Sequence, residues 1–101
     1  MYQVRKRDGK ITEFDLKKIA VAITSAFEAQ NKQYHPSIID MLALKVTADF
    51  EPKIKDDVVL VEDIQDSVEN VLVLAGYADV AKGYILYRKQ REKIRNMKST
   101  L

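Results

Sequence analysis

The chain predicts an α+β fold, mainly α, in which a small β-hairpin or three-stranded sheet caps a four-helix bundle. Three observations carry this reading. An Asp8-Gly9 dipeptide sits between two short strand-like runs. Four later stretches repeat apolar residues at helical spacing. No repeat, low-complexity tract or linker divides the chain, and 101 residues with 47% hydrophobic content make one domain with one modest core.

Val4 and its neighbours lead into Asp8-Gly9, and Lys10 to Phe14 returns. The dipeptide suits a two-residue type I′ turn, whose central positions both need positive φ. Asp15 then precedes an apolar series and reads as an N-cap, its carboxylate accepting from first-turn amides. Leu16, Ile19, Ile23, Ala26 and Phe27 form one face of the first helix, which stops in the polar NKQYHP. Pro36 marks the next start. Ile39, Leu42, Val46 and Phe50 line the second helix, expected to end before Pro52 because the residue before a proline avoids the helical region. Ile38, Met41 and Leu44 lie partly off that stripe, so this helix is either deeply buried or presents an interaction face. The β-branched run Asp57 to Val61 offers a third strand through Val58 and Val59, since two strands alone are marginal in water. Ile64, Val68, Val71, Leu72 and Ala75 define the third helix, closed by Gly76 in the left-handed conformation. The fourth runs from about Asp79 through Tyr84 and Tyr87 into YRKQREKIRN, with both tyrosines expected in the core and their hydroxyls reaching the surface.

Charge is unevenly placed. The net +2 conceals two basic ends, residues 1–18 and 82–98, around an acidic middle. Lys17 and Lys18 fall in the first turn of the first helix, where the helix dipole favours acids, and Arg5, Lys6 and Arg7 stand nearby in sequence. Such cations cost stability unless an anion offsets them. A helix N-terminus ringed by Lys and Arg points to phosphate binding, with the cations supplying charge and the amides direction. Glu62, Asp63, Asp66 and Glu69 read as a solvated face, the first two also suited to a helix start.

Several classes are excluded. There is no Cys, and the lone His35 has no partner at ligand spacing, so no structural zinc or other metal site is expected. No apolar run approaches the roughly 20 residues of a membrane span and no signal peptide is visible, which predicts a cytoplasmic chain without a membrane partner. No Walker pattern or carboxylate constellation suggests hydrolysis, and no catalytic residue is assigned.

VRKRDGKITEFDLKKI, then VEDIQDSVENVL, then DVAKGYILYRKQREKIR resemble, in order and spacing, the three signatures of the ATP-cone of ribonucleotide reductases. The resemblance spans roughly residues 3 to 95. The ending REKIRNMKSTL is most similar to the junction into an anaerobic ribonucleoside-triphosphate reductase. It implies that residues 1–101 are a single ATP-cone domain, the N-terminal fragment of a longer reductase chain. It also implies an allosteric domain, not itself an enzyme, that binds ATP or dATP as effector, with Mg²⁺ as an optional companion. Its partners would be the catalytic body and a second copy of the domain.

Carried over by that resemblance, Val4, Lys6 and Arg7 are first-strand contacts to nucleotide, and Asp15, Lys18 and Ile19 close over it from the helix start. Val61, Ile64 and Gln65 match the third-helix start, an apolar wall for the purine and a polar reader of its edge or ribose. Thr and His found there in other members are replaced here. Arg88, Lys89 and Arg91 fall near a fourth-helix position that supplies another phosphate cation. Two rival readings remain: a nucleic-acid-binding domain using the basic fourth helix, with nucleic acid the less favoured partner, and the nucleotide-sensing part of a reductase-gene repressor. The repressor family also carries a zinc ribbon, and this chain has no Cys.

Overall fold

A computed structural model describes the backbone of residues 2–100 and the side chains of residues 2–97. Its elements are β1 (Gln3–Arg5), β2 (Ile11–Glu13), α1 (Leu16–Ala29), α2 (Pro36–Phe50), a 3-10 turn (Glu51–Lys53), β3 (Val58–Leu60), α3 (Val61–Leu74) and α4 (Ala78–Thr100). The expected third strand exists, and the sheet order is β2-β1-β3. β1 pairs antiparallel with β2, Val4 opposite Thr12, and parallel with β3, Val4 opposite Val59. Val4 and Val59 are buried, so the central row of the sheet faces the helices.

The hairpin differs from the expected two-residue turn. Lys6 N donates to Lys10 O at 2.8 Å and Gly9 N donates to Lys6 O at 2.9 Å, leaving Arg7, Asp8 and Gly9 as a three-residue loop. Of the Asp8-Gly9 pair only Gly9 takes positive φ, at 88°. Asp8 instead accepts from Lys10 N through its side chain at 3.0 Å. The dipeptide demands a left-handed glycine but leaves open whether the aspartate shares that conformation.

Most of the foretold stripes are buried: Ile19, Ile23, Ala26 and Phe27 on α1, then Ile39, Leu42, Val46 and Phe50 on α2. On α3 it is Ile64, Val68, Val71 and Leu72. Leu16, in the first turn of α1, and Ala75, the C-cap of α3, are exposed instead, because each sits at a helix end beyond the reach of the core. Val80, Ala81 and Tyr84 complete the core from α4, whereas Tyr87, expected beside Tyr84, is only half-buried. Pro52 acts by another route than expected. Glu51 before it is helical (φ −50°, ψ −43°), so what ends α2 is the amide that Pro52 lacks, and the chain tightens into a 3-10 turn. Gly76 takes φ 91°, with Gly76 N donating to Val73 O and Tyr77 N to Leu72 O, the paired bonds of a Schellman cap. Tyr2, Phe14 and Phe50 stack at centroid distances of 4.7 to 5.9 Å and seat the sheet on the end of α2. α1 and α4 approach closely at Gly83, where a Cβ would lie 2.9 Å from Ala26 O. No helix among the described residues is long and apolar enough to cross a membrane.

Candidate nucleotide-binding site

Where the sheet meets the bundle, the three-residue hairpin loop brings Arg7 against α3 and α4. Its guanidinium donates from Nη1 to Glu92 Oε1 at 2.7 Å and from Nη2 to Gln65 Oε1 at 3.3 Å, and its Nε lies 3.6 Å from Glu62 Oε1. Arg88 donates to the same Gln65 oxygen at 3.5 Å and lies 3.0 Å from Glu69 Oε1. Three segments far apart in sequence thus join through Arg7, Gln65 and Arg88, all residues the sequence singled out.

The fourth-helix candidates separate by direction. Arg88 is half-buried and faces α3, with its guanidinium 5.9 Å from the Tyr84 ring. Burial pushes the Tyr84 phenol up to about 12, against the opposing pull of Arg88. Arg91 lies over the Tyr87 ring, its guanidinium 5.8 Å from the centroid. Lys89 is exposed along a shallow groove on α4 that it shares with Glu92 and Lys93.

At α1, Asp15 caps the helix as expected, accepting from Lys17 N at 3.0 Å. Lys18 N donates to Asp15 O at 3.1 Å. Two of the amides expected to orient a phosphate are therefore already engaged, and this helix end offers chiefly charge. The first turn holds no acid. Lys6 lies just past β1 at the base of the three-residue loop, and Arg7 in that loop, so neither is in the strand itself. Lys6, Lys17 and Lys18 are exposed, with no side-chain ion pair among the described residues.

Val4, Ile19 and Ile64 belong to the hydrophobic core, and Val61 packs half-buried against it. Most of the side-chain surface of these four is therefore shielded. The acidic face is only partly solvated. Glu62 and Glu69 turn toward Arg7 and Arg88, and Asp63 lies 3.8 Å from Lys53 Nζ; Asp66 is exposed and the Glu62 side chain keeps 46% of its surface in solvent, whereas Asp63 and Glu69 keep 28% and 27%. Their shared helix face was legible, but the cations opposite come from distant segments. Glu92 was missed altogether, although it is the one acid within the basic stretch 82–98. Among the described residues no group of three or more His, Cys, Asp or Glu is gathered to hold a metal.

The fold and this cluster define a helical module with a cationic, sheet-bearing cap. The profile of the family described as ATP cone domain matches residues 2–93. The chain belongs to the ATP-cone domain family. It is 40% identical over 96 residues to the ribonucleoside-diphosphate reductase subunit alpha of Chlamydia pneumoniae, covering 89% of this chain and 9% of that one. It is 37% identical over 99 residues to a vitamin B12-dependent ribonucleoside-diphosphate reductase of Mycobacterium tuberculosis strain CDC 1551 / Oshkosh, covering 98% and 14%. With the anaerobic ribonucleoside-triphosphate reductase of Haemophilus influenzae it shares 31% over 103 residues, covering 99% and 14%. The chain therefore spans only 9% to 14% of the length of these relatives. The resemblance to the ATP-cone read from the three sequence signatures holds, and so does the sheet-capped four-helix fold it implied.

Proposed function

We propose that this chain is an allosteric regulatory domain that binds ATP and dATP at the same site and controls the overall activity of a ribonucleotide reductase. It does so as the N-terminal part of a longer cytoplasmic chain, and performs no chemistry itself. The observation that supports this most is the meeting of Arg7, Gln65 and Arg88 at the cap, and the exposed Lys6, next to Arg7 in the chain, and Lys18, in the acid-free first turn of α1, add uncommitted charge. A triphosphate carries the charge to occupy several cations at once. Arg7 and Arg88 can each offer a bidentate fork to phosphate oxygens, and Lys6 and Lys18 act as mobile point charges. Asp15 fixes the start of α1, so that Lys18 is presented from a rigid turn. Val61, half-buried, offers a purine an apolar contact with the core residues Val4, Ile19 and Ile64 behind it, and Gln65 reads its edge or the ribose.

The reductase type proposed is the anaerobic ribonucleoside-triphosphate type. Support comes from the REKIRNMKSTL ending and from the match to such an enzyme across 99% of this chain. Relatives of the diphosphate-reducing types show higher identities of 40% and 37%, so the substrate test is decisive. The enzyme carrying this domain is assayed with CTP and with CDP, in the presence of ATP or dATP. Reduction of CTP that ATP supports and dATP stops is the expected outcome. Reduction of CDP alone would overturn the type, and indifference to both effectors would overturn the regulatory role.

The nucleic-acid reading has one observation in its favour, the exposed Lys82, Lys89 and Lys93 on α4. Such a surface would bind a polymer with affinity falling steeply in salt and without adenine preference. The nucleotide reading expects ATP to be retained over single-stranded DNA as salt rises.

A further inference from the structure

Arg7, the cation best placed for a phosphate, is already occupied. Nη1 donates to Glu92 at 2.7 Å and Nη2 to Gln65 at 3.3 Å, while Nε lies within ion-pair range of Glu62 at 3.6 Å. A guanidinium recognises carboxylate and phosphate through the same planar fork, so a phosphate oxygen and the Glu92 carboxylate compete for one donor. The 2.7 Å contact has the length of a charge-assisted bond. It also joins residues 85 positions apart, linking the hairpin loop to the C-terminal half of α4. The two side chains keep 44% and 43% of their surface in solvent, against 22% and 27% for Arg88 and Glu69. An ion pair that exposed is weak and exchangeable, whereas the inner pair is held more tightly.

We propose that Glu92 is an internal competitor for the nucleotide's phosphates. It neutralises Arg7 in the ligand-free chain, and triphosphate binding turns it out, untying the hairpin loop from the C-terminal half of α4. The proposal deepens the nucleotide-binding reading above and rests on it. A displaced carboxylate left beside a triphosphate is repelled by it, so occupancy of the cap is expressed as a change in α4 at and beyond Glu92. Glu62, at 3.6 Å, is the weaker competitor and sits at the start of α3, a helix held in place by its packing against α2 and α4.

The test compares binding of ATP and of inorganic triphosphate by the 101-residue chain in wild-type, Glu92→Gln, Arg7→Gln and doubly substituted forms. Asp66→Asn serves as control for the loss of one exposed acid. Glu92→Gln should tighten both ligands by roughly two- to fivefold, the factor expected of an exposed ion pair. Asp66→Asn should do less, and in the Arg7→Gln background Glu92→Gln should gain nothing. Without ligand, Glu92→Gln should speed amide hydrogen exchange in the loop Arg7–Lys10 and in α4 from Glu92 onward, as ATP does in the wild type. Unchanged affinity, or a gain that persists without Arg7, would overturn the competition. Unchanged exchange would overturn the tether. If the wild type bound neither ligand, the nucleotide-binding reading would fall and this proposal with it, whereas ATP binding with a neutral Glu92→Gln would sink the competitor alone.

Discussion

Lys17 and Lys18 are adjacent and both exposed, yet helix geometry turns them about 100° apart, so they cannot serve one phosphate equally. Lys6→Ala and Lys18→Ala should each weaken triphosphate binding by about 1–3 kcal/mol, the usual loss for a charge-assisted contact, with Lys17→Ala losing less. Titration of the three variants checks this, and equal losses at Lys17 and Lys18 would indicate diffuse attraction rather than a formed site. A second residue-scale expectation concerns Tyr84. Its phenol ionises near 10.0 when unfolded and about 12 when folded, chiefly because the ring is buried. Its contribution to stability is therefore fully present below pH 10 and is lost as the pH rises toward 12, an interval in which the unfolded chain releases the proton before the folded one does. The slope in that window is about 1.4 kcal/mol per pH unit for one proton. Urea denaturation across this range should show it, and Tyr84→Phe should flatten it. Tyr2, also raised by burial and then by Glu51, leaves a residual slope.

Among the elements, α4 depends on a contact that composition alone does not announce. Gly83 lets α4 approach α1, since a Cβ there would meet Ala26 O at 2.9 Å and Gln30 Cγ at 3.2 Å. Alanine would gain about 1 kcal/mol of helix propensity, but crowding against a backbone carbonyl costs about 1–3 kcal/mol. The net loss of about 0–2 kcal/mol should lower the melting temperature of Gly83→Ala, by roughly 4–8 °C for each kcal/mol in a domain this size. A raised melting temperature would show that the helices part without cost. α2 presents the opposite case, apolar residues left outside. Ile38 packs against the core, whereas Met41 is 40% and Leu44 60% exposed, so the fully buried alternative does not hold for these two.

At the scale of the molecule, that exposed α2 face is where self-association is expected, with dATP shifting the equilibrium relative to ATP. Sedimentation of the wild type and of Met41→Glu with each nucleotide checks it. A monomer under every condition would leave coupling to the reductase body as the sole output. Much of this architecture was legible because it is written locally. Helical spacing marked the buried stripes, Asp15 the cap, Gly76 the end of α3, and Val58-Val59 the third strand. What sequence could not show arises between distant segments. The pairing of Glu92 with Arg7 spans 85 residues and has no local pattern. Likewise, Glu62 and Glu69 look solvated until α4 and the hairpin are placed opposite them. The turn was misread for another reason, because a left-handed Gly9 satisfies two loop lengths equally well.

The central claim is that this cap is a nucleotide site without catalysis, and calorimetric titration of the 101-residue chain with ATP, alongside a phosphate-release assay, tests it most directly. Saturable binding that dATP competes away, weakened by Lys18→Ala and accompanied by phosphate release no faster than the buffer blank, is the predicted result. No saturable heat with either nucleotide, or hydrolysis that scales with protein and disappears in Lys18→Ala, would contradict it.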